Sequence, residues 1–188
     1  LIYDEIYSGF NRTGKLFACD WEGVAPDIIC LGKSLSGGYP ISSCVGKAKV
    51  MDAWPESEGE ALHTSTFLGN PVGCAMAVAS LKAHLDNGIQ TVVEDASAKL
   101  RGKLGGLSSP LIHEIRGRGL MLGMELRHED GSAAGDVAGE VLSKMMQQGV
   151  FMLADGAEGN VLAFTPPFVI SDEEMQFAME GLQSALDR

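Results

Sequence analysis

Asp27-Ile28-Ile29-Cys30-Leu31-Gly32-Lys33-Ser34-Leu35-Ser36-Gly37-Gly38 is the stretch on which the fold turns. Its apolar run, without alternation, has the texture of a strand buried on both faces of a parallel sheet. Two similar runs flank it, Leu1-Ile2-Tyr3 upstream and Ser42-Ser43-Cys44-Val45-Gly46 downstream. The pattern therefore predicts three strands of the parallel type. A helix follows: Asn70 can cap it, Pro71 suits its first position, and Val72, Ala75, Met76, Ala79 and Leu85 recur at helical spacing. Asn87-Gly88 is its predicted stop. One helix cannot cover both faces of such a sheet, so residues outside this chain are expected to complete it. The opening on Leu1, inside an apolar run, points the same way.

From about residue 90 the texture changes. A more polar helix is predicted near 90–104, broken at Gly105-Gly106, then strands at Ile112–Ile115 and Leu120–Leu126. Val137, Ala138, Val141, Leu142 and Met145 give a helix over 134–147 one apolar face, and Gly149 ends it. Short strands are predicted at 150–153 and 161–165. A last helix opens on a capping box, Ser171 with Glu174, and carries Met175, Ala178, Met179, Leu182 and Leu186 as a stripe. Core packing accounts for both methionine-bearing faces. The expected architecture is α/β: residues 1–88 belong to a large, mostly parallel-sheet domain, and 89–188 form a small α/β domain.

Composition narrows the function. Lys plus Arg number 14 and Asp plus Glu 25, a formal charge of −11, which argues against nucleic acid or an anionic membrane as partner. No apolar stretch reaches the ~18 residues of a membrane span, and no signal peptide is expected. Cys19, Cys30, Cys44 and Cys74 form no C-x-x-C pair, and the four histidines are dispersed. Reduced thiols, no metal site and a cytoplasmic location are expected.

In open α/β sheets, ligands bind beyond the carboxyl ends of the strands. Asp4-Glu5 follows the first strand directly, and Gly32-Lys33-Ser34 the second. Two solvated charges at strand ends are one reading. A carboxylate and an amine facing one crevice are the other, and the position of Lys33 just after four apolar residues and before Gly37-Gly38 favours it. Lys33 is not a phosphate-loop lysine, because that pattern needs glycine where Asp27 stands. The dinucleotide fingerprint fails too, since Gly117-Arg118-Gly119 leads to Leu122 where a small residue is needed. A desolvated lysine beside a carboxylate suits carbonyl chemistry, as in pyridoxal phosphate enzymes. Thr64-Ser65-Thr66, ahead of the helix at Asn70-Pro71, adds a candidate anion site for a cofactor phosphate.

The sequence resembles the class-III aminotransferases, pyridoxal-phosphate enzymes of fold type I that include the ornithine and 4-aminobutyrate aminotransferases. The matching stretches are Leu1–Gly14 (Leu-Ile-Tyr-Asp-Glu-Ile-Tyr-Ser-Gly-Phe-Asn-Arg-Thr-Gly), Pro26–Pro40 around Lys33, His63–Pro71, Ile115–Leu126 and Pro166–Ile170. The resemblance implies Lys33 as Schiff-base lysine and proton shuttle, and Asp4 as partner of the pyridinium nitrogen. It further implies Ile6 against one face of the ring, and Thr66 with Ser65 at the phosphate of a neighbouring subunit's cofactor, hence a homodimer with shared sites. Arg12-Thr13-Gly14 and Arg116–Gly123 match positions read as structural. The implied substrates are a small-molecule amino donor and a 2-oxo acid acceptor. The chain would be the C-terminal half of an enzyme about twice its length, with the phosphate loop and much of the substrate pocket upstream.

Two positions depart from the family pattern. Tyr7 stands where glutamine is usual, next to the cofactor's ring hydroxyl, and its own hydroxyl can replace that hydrogen bond. Ala163 stands where many members clamp the substrate carboxylate with arginine, which is hard to replace. Alternatives to transamination are therefore an aminomutase, epimerase, lyase or decarboxylase reaction on the same cofactor, or an isolated fragment that is inactive, binds cofactor weakly and aggregates.

Overall fold

The structure is a computed structural model, and it describes residues 1–59, 63–86 and 88–187. The predicted stop at Asn87 lies outside the described residues. The chain divides into two compact units, Leu1–Gln90 and Thr91–Arg188.

The first unit carries a three-stranded sheet, β1 (Ile2–Asp4), β2 (Ile28–Leu31) and β3 (Ser43–Gly46), in that order. β1 and β2 are parallel, with Asp4 opposite Cys30. β3 runs antiparallel to β2, contrary to the expectation of three parallel-type strands. The connection explains the difference. A parallel return needs a crossover of a dozen or more residues, usually a helix. Residues 32–42 hold only a single 3-10 turn, Lys33–Leu35, and the reversal at Gly37-Gly38, both at positive φ. Phe10, Leu31 and Leu35 form a small core with Phe17, Ile29, Ile41 and Ala77 packed on it. A short helix α1 (Ala48–Met51) and the long α2 (Pro71–Asp86) complete the unit. The expected cap holds: Asn70 Oδ1 accepts from the amides of Val72 and Gly73 at 3.0 and 3.1 Å.

In the second unit α3 (Ile89–Gly105) buries Val93, Ala96, Leu100 and Leu104. An antiparallel sheet of order β4-β5-β7-β6 follows: β4 (Ile112–Arg118), β5 (Met121–Leu126), β7 (Val161–Phe164) and β6 (Leu153–Asp155). β4 outruns its predicted end at Ile115 because Gly117 takes φ +122 and keeps the ladder intact to a two-residue hairpin at Gly119-Leu120. β6 lies later than predicted: pairing with β7 sets residues 153–155 in register, while Phe151 is 83% exposed. α4 (Gly135–Gln147) buries Val137, Ala138, Val141 and Met145, and α5 (Asp172–Leu186) buries Met175, Met179, Leu182 and Leu186. The capping box is formed, with Glu174 N donating to Ser171 Oγ at 3.1 Å and Ser171 N to Glu174 Oε2 at 2.8 Å. Among the described residues no helix is long and apolar enough to cross a membrane, and no cluster could hold a metal ion.

Candidate active site

The parallel pairing of β1 and β2 ends both strands at the same edge of the sheet, and the chemistry-bearing residues gather there. Asp4 is the last residue of β1, and Lys33 comes two residues after β2. Lys33 adopts φ +45, a left-handed backbone that costs an L-residue free energy and clusters at functional sites. Its neighbour Gly32 is extended, yet a Cβ there would stand 3.2 Å from Ile6 Cγ2, so glycine lets Ile6 close on this edge.

Asp4 Oδ1 accepts from Ile6 N at 3.0 Å, which folds the chain tightly after β1 and leaves the carboxylate exposed. Ile6 is half-buried beside Gly32. Lys33 Nζ lies 3.9 Å above the centroid of the Tyr7 ring, a cation–π contact. The structure thus brings together Asp4, Ile6, Tyr7 and Lys33 in one cluster. Tyr7 meets the amine with its ring face rather than its hydroxyl. Lys33 is exposed, not enclosed in an apolar crevice, so the desolvation expected from the sequence is not supplied by the described residues.

Ser65 and Thr66 lie on an exposed turn before α2, where Leu68 N donates to Ser65 O at 3.1 Å. Among the described residues no hydrogen bond joins them to the cluster. The first amides of α2 are occupied by Asn70, so the hydroxyls, not the helix N-terminus, are what this segment offers an anion.

Sequence reasoning missed the polar anchors beneath the site. Glu5 is buried, and it accepts from Ser8 Oγ at 2.5 Å and from Cys19 N at 2.7 Å. Its own amide donates to Cys30 O at 2.9 Å, which ties the turn after β1 to β2. Asn11, at φ +63, donates from Nδ2 towards His84 Nδ1 at 3.1 Å and to the His84 carbonyl at 3.3 Å. Burial holds the His84 imidazole below its ordinary pKa, in keeping with a neutral ring that accepts this bond. The adjacent positive-φ residue, Phe10, is 1% exposed and meets Phe17 edge-on at 5.8 Å. The only sequence signal for these anchors was a polar residue beside an apolar one in the Asp4–Gly14 run.

Ala163 sits on β7 opposite Gly123 and Leu153, beside a cavity of about 490 Å³ that no charged side chain lines. Among the described residues no guanidinium lines it to replace the absent arginine. On β4 and β5, Arg116 and Arg127 both bond Glu125 and hold its carboxyl below the usual range, an ion cluster that fits the structural role expected for this stretch.

Residues 1–186 match the family described as Aminotransferase class-III. An ornithine aminotransferase of Brevibacillus brevis is 37% identical over 99% of this chain, and the match covers 43% of that relative. A solved ornithine aminotransferase of Toxoplasma gondii, described with partial occupancy of PLP at its active site, superposes with a TM-score of 0.79 at 38% identity, covering 99% of this chain and 42% of that one. An Arthrobacter phospholyase solved with phosphoethanolamine gives a TM-score of 0.86 at 27% identity, covering 98% of this chain and 44% of that one. The chain spans less than half the length of the relatives it matches. Over that span it has the α/β architecture of fold-type-I transferases, and with residues 1–186 matched it belongs to the class-III aminotransferase family.

Proposed function

We propose that the chain supplies the lysine-bearing part of a pyridoxal 5'-phosphate-dependent transaminase site, where an amino group passes from a small-molecule amine or amino acid to a 2-oxo acid. The observation that carries this reading is the placement of Asp4 and Lys33 at one edge of two parallel strands, with Lys33 in a left-handed conformation. The donor set fits the cofactor: a primary amine for its aldehyde, a carboxylate for its ring nitrogen, and an aliphatic side chain that glycine allows close to the same edge. When bound, the cofactor supplies an electron sink for the bond broken at the substrate carbon.

Lys33 would hold the cofactor through Nζ and would move the proton at the substrate Cα. Asp4 would partner the ring nitrogen through its carboxylate, which the bond from Ile6 N orients. Ile6, close against Gly32, would offer the ring an aliphatic contact, and the face of Tyr7 holds Nζ at 3.9 Å. Ser65 and Thr66, exposed and among the described residues without a hydrogen bond to the cluster, would reach the cofactor phosphate of a second subunit in a homodimer. A cytoplasmic location accords with the four free thiols.

Borohydride reduction of the protein with pyridoxal phosphate, followed by peptide mapping, is expected to fix the cofactor on Lys33. A label elsewhere, or none, would sink this reading. A second reading, a lyase or other reaction on the same cofactor, is favoured by the charge-free surroundings of Ala163 and by the similarity to a phospholyase. A panel of amines and 2-oxo acids separates the two: amino-group exchange supports transamination, and its absence with every acceptor supports the alternative.

A further inference from the structure

Cys30 and Cys44 stand directly opposite each other in the antiparallel pair β2–β3. Two hydrogen bonds establish which kind of pair this is. Glu5 N donates to Cys30 O, so the polar backbone groups of Cys30 face β1 and not β3. Lys47 N donates to Asp27 O, and bonded pairs alternate along an antiparallel ladder, which makes 27–47, 29–45 and 31–43 the bonded pairs. Cys30–Cys44 is therefore a non-hydrogen-bonded pair, where Cα atoms approach to about 4.5 Å and side chains share one face. That spacing lies at the short end of the ~4.4–6.8 Å window that a disulfide can bridge. Both thiols are free, Cys44 exposed and Cys30 half-buried.

We propose that Cys30 and Cys44 are an oxidation site that closes reversibly to a cross-strand disulfide when the protein meets a peroxide. Cys44, the exposed thiol, attacks first. Its Sγ takes one peroxide oxygen as the O–O bond breaks, giving a sulfenic acid and a first water. Cys30 Sγ then attacks Cys44 Sγ, the S–O bond breaks, and the hydroxide leaves with the Cys30 proton as a second water. The two thiols lose two electrons in all, and the peroxide gains them. Burial pushes the Cys30 thiol up, with Cys44 and Asp4 adding to the effect, which suits Cys30 to the second step rather than the first. A disulfide with the exposed Cys44 sulfur at one end is open to exchange with thiols. It would close residues 30–44 into one covalent ring that contains Lys33. The inference stands on strand register alone and does not depend on the proposed reaction.

The test treats the folded protein with hydrogen peroxide, blocks remaining thiols with N-ethylmaleimide and digests with trypsin. Peptide 16–33, which holds Cys19 and Cys30, should be joined to peptide 34–47, which holds Cys44. Fragmentation should place the bond at Cys30, and two of the four thiols should escape blocking. Dithiothreitol should reverse both results. The joined peptide should persist in Cys19→Ser and be lost in Cys30→Ser and Cys44→Ser. The wild-type reading needs no variant to fold. Cys44 oxidised without a joined peptide, a bond to Cys19, or a bond found only between two chains would overturn the proposal.

Discussion

Glu5 is 2% exposed, and its carboxylate is the shared acceptor for the Ser8 hydroxyl and the Cys19 amide. Removing it strands a buried N–H, so Glu5→Ala should cost about 1–3 kcal/mol. A lower urea midpoint at unchanged slope would show this, whereas Ser8→Ala, which removes only the half-buried donor, should cost less. His84 gives a pH dependence of definite sign. Burial lowers its pKa in the fold, so the unfolded chain binds a proton that the folded one excludes. The contribution is full above ~6.5, begins to fall below it, and is lost as pH passes down through the lower value of the folded state. Unfolding free energies compared at neutral and mildly acidic pH should decline more steeply for the wild type than for His84→Gln; equal slopes would refute the assignment. Lys33 and Asp4 were legible in the sequence because each sits at a strand end, a position that local pattern reveals. Glu5 and His84 were not, because their meaning lies in partners that the pattern does not bring together: Asn11 and His84 are 73 residues apart.

Helices were legible at the level of the element: α4 and α5 bury the faces that their sequences mark, whereas Val72, Met76 and Leu85 of α2 stay exposed. Strand direction was not legible. The texture of β3 says only that it is a strand, and the short connection from β2 decides that it runs antiparallel. That same reversal sets the Cys30–Cys44 register. Nor did the pattern show how far β4 extends, which depends on Gly117. At φ +122 an L-residue is strained, and a Cβ would overlap the Met121 carbonyl oxygen across the hairpin. Gly117→Ala should therefore destabilise the β4–β5 hairpin by more than 1 kcal/mol, on the order of the strain and backbone displacement combined. Gly102→Ala, on α3 with open space around its Cβ, is the control and should be neutral or stabilising. Thermal melts of the two variants check the contrast, and similar losses in both would refute it.

The two units differ in how far their apolar side chains are covered, and that difference governs how the whole molecule behaves. In Thr91–Arg188 the interior is extensive: Leu104, Leu120, Met124, Leu126, Met145 and Leu162 are fully buried. In Leu1–Gln90 it is small, and apolar residues of α2 and the turn before it stand in the open, with Phe67 75% and Leu85 59% exposed. A helix apolar on all sides is one that further protein normally covers. Local opening free energy follows buried apolar contact, so protection should not be uniform along this chain. Amides of β5, β7 and α5 should exchange slowest. Those of α2 should exchange faster, even though they are hydrogen-bonded within a helix of 16 residues. The same exposed surface should bind a hydrophobic dye and drive self-association as concentration rises. Hydrogen exchange read by mass spectrometry, at two protein concentrations, tests the two together. Slow exchange confined to the second unit at low concentration, with α2 gaining protection at high concentration, is the expected result; equal protection of α2 and α5 at both would show that the first unit needs no cover.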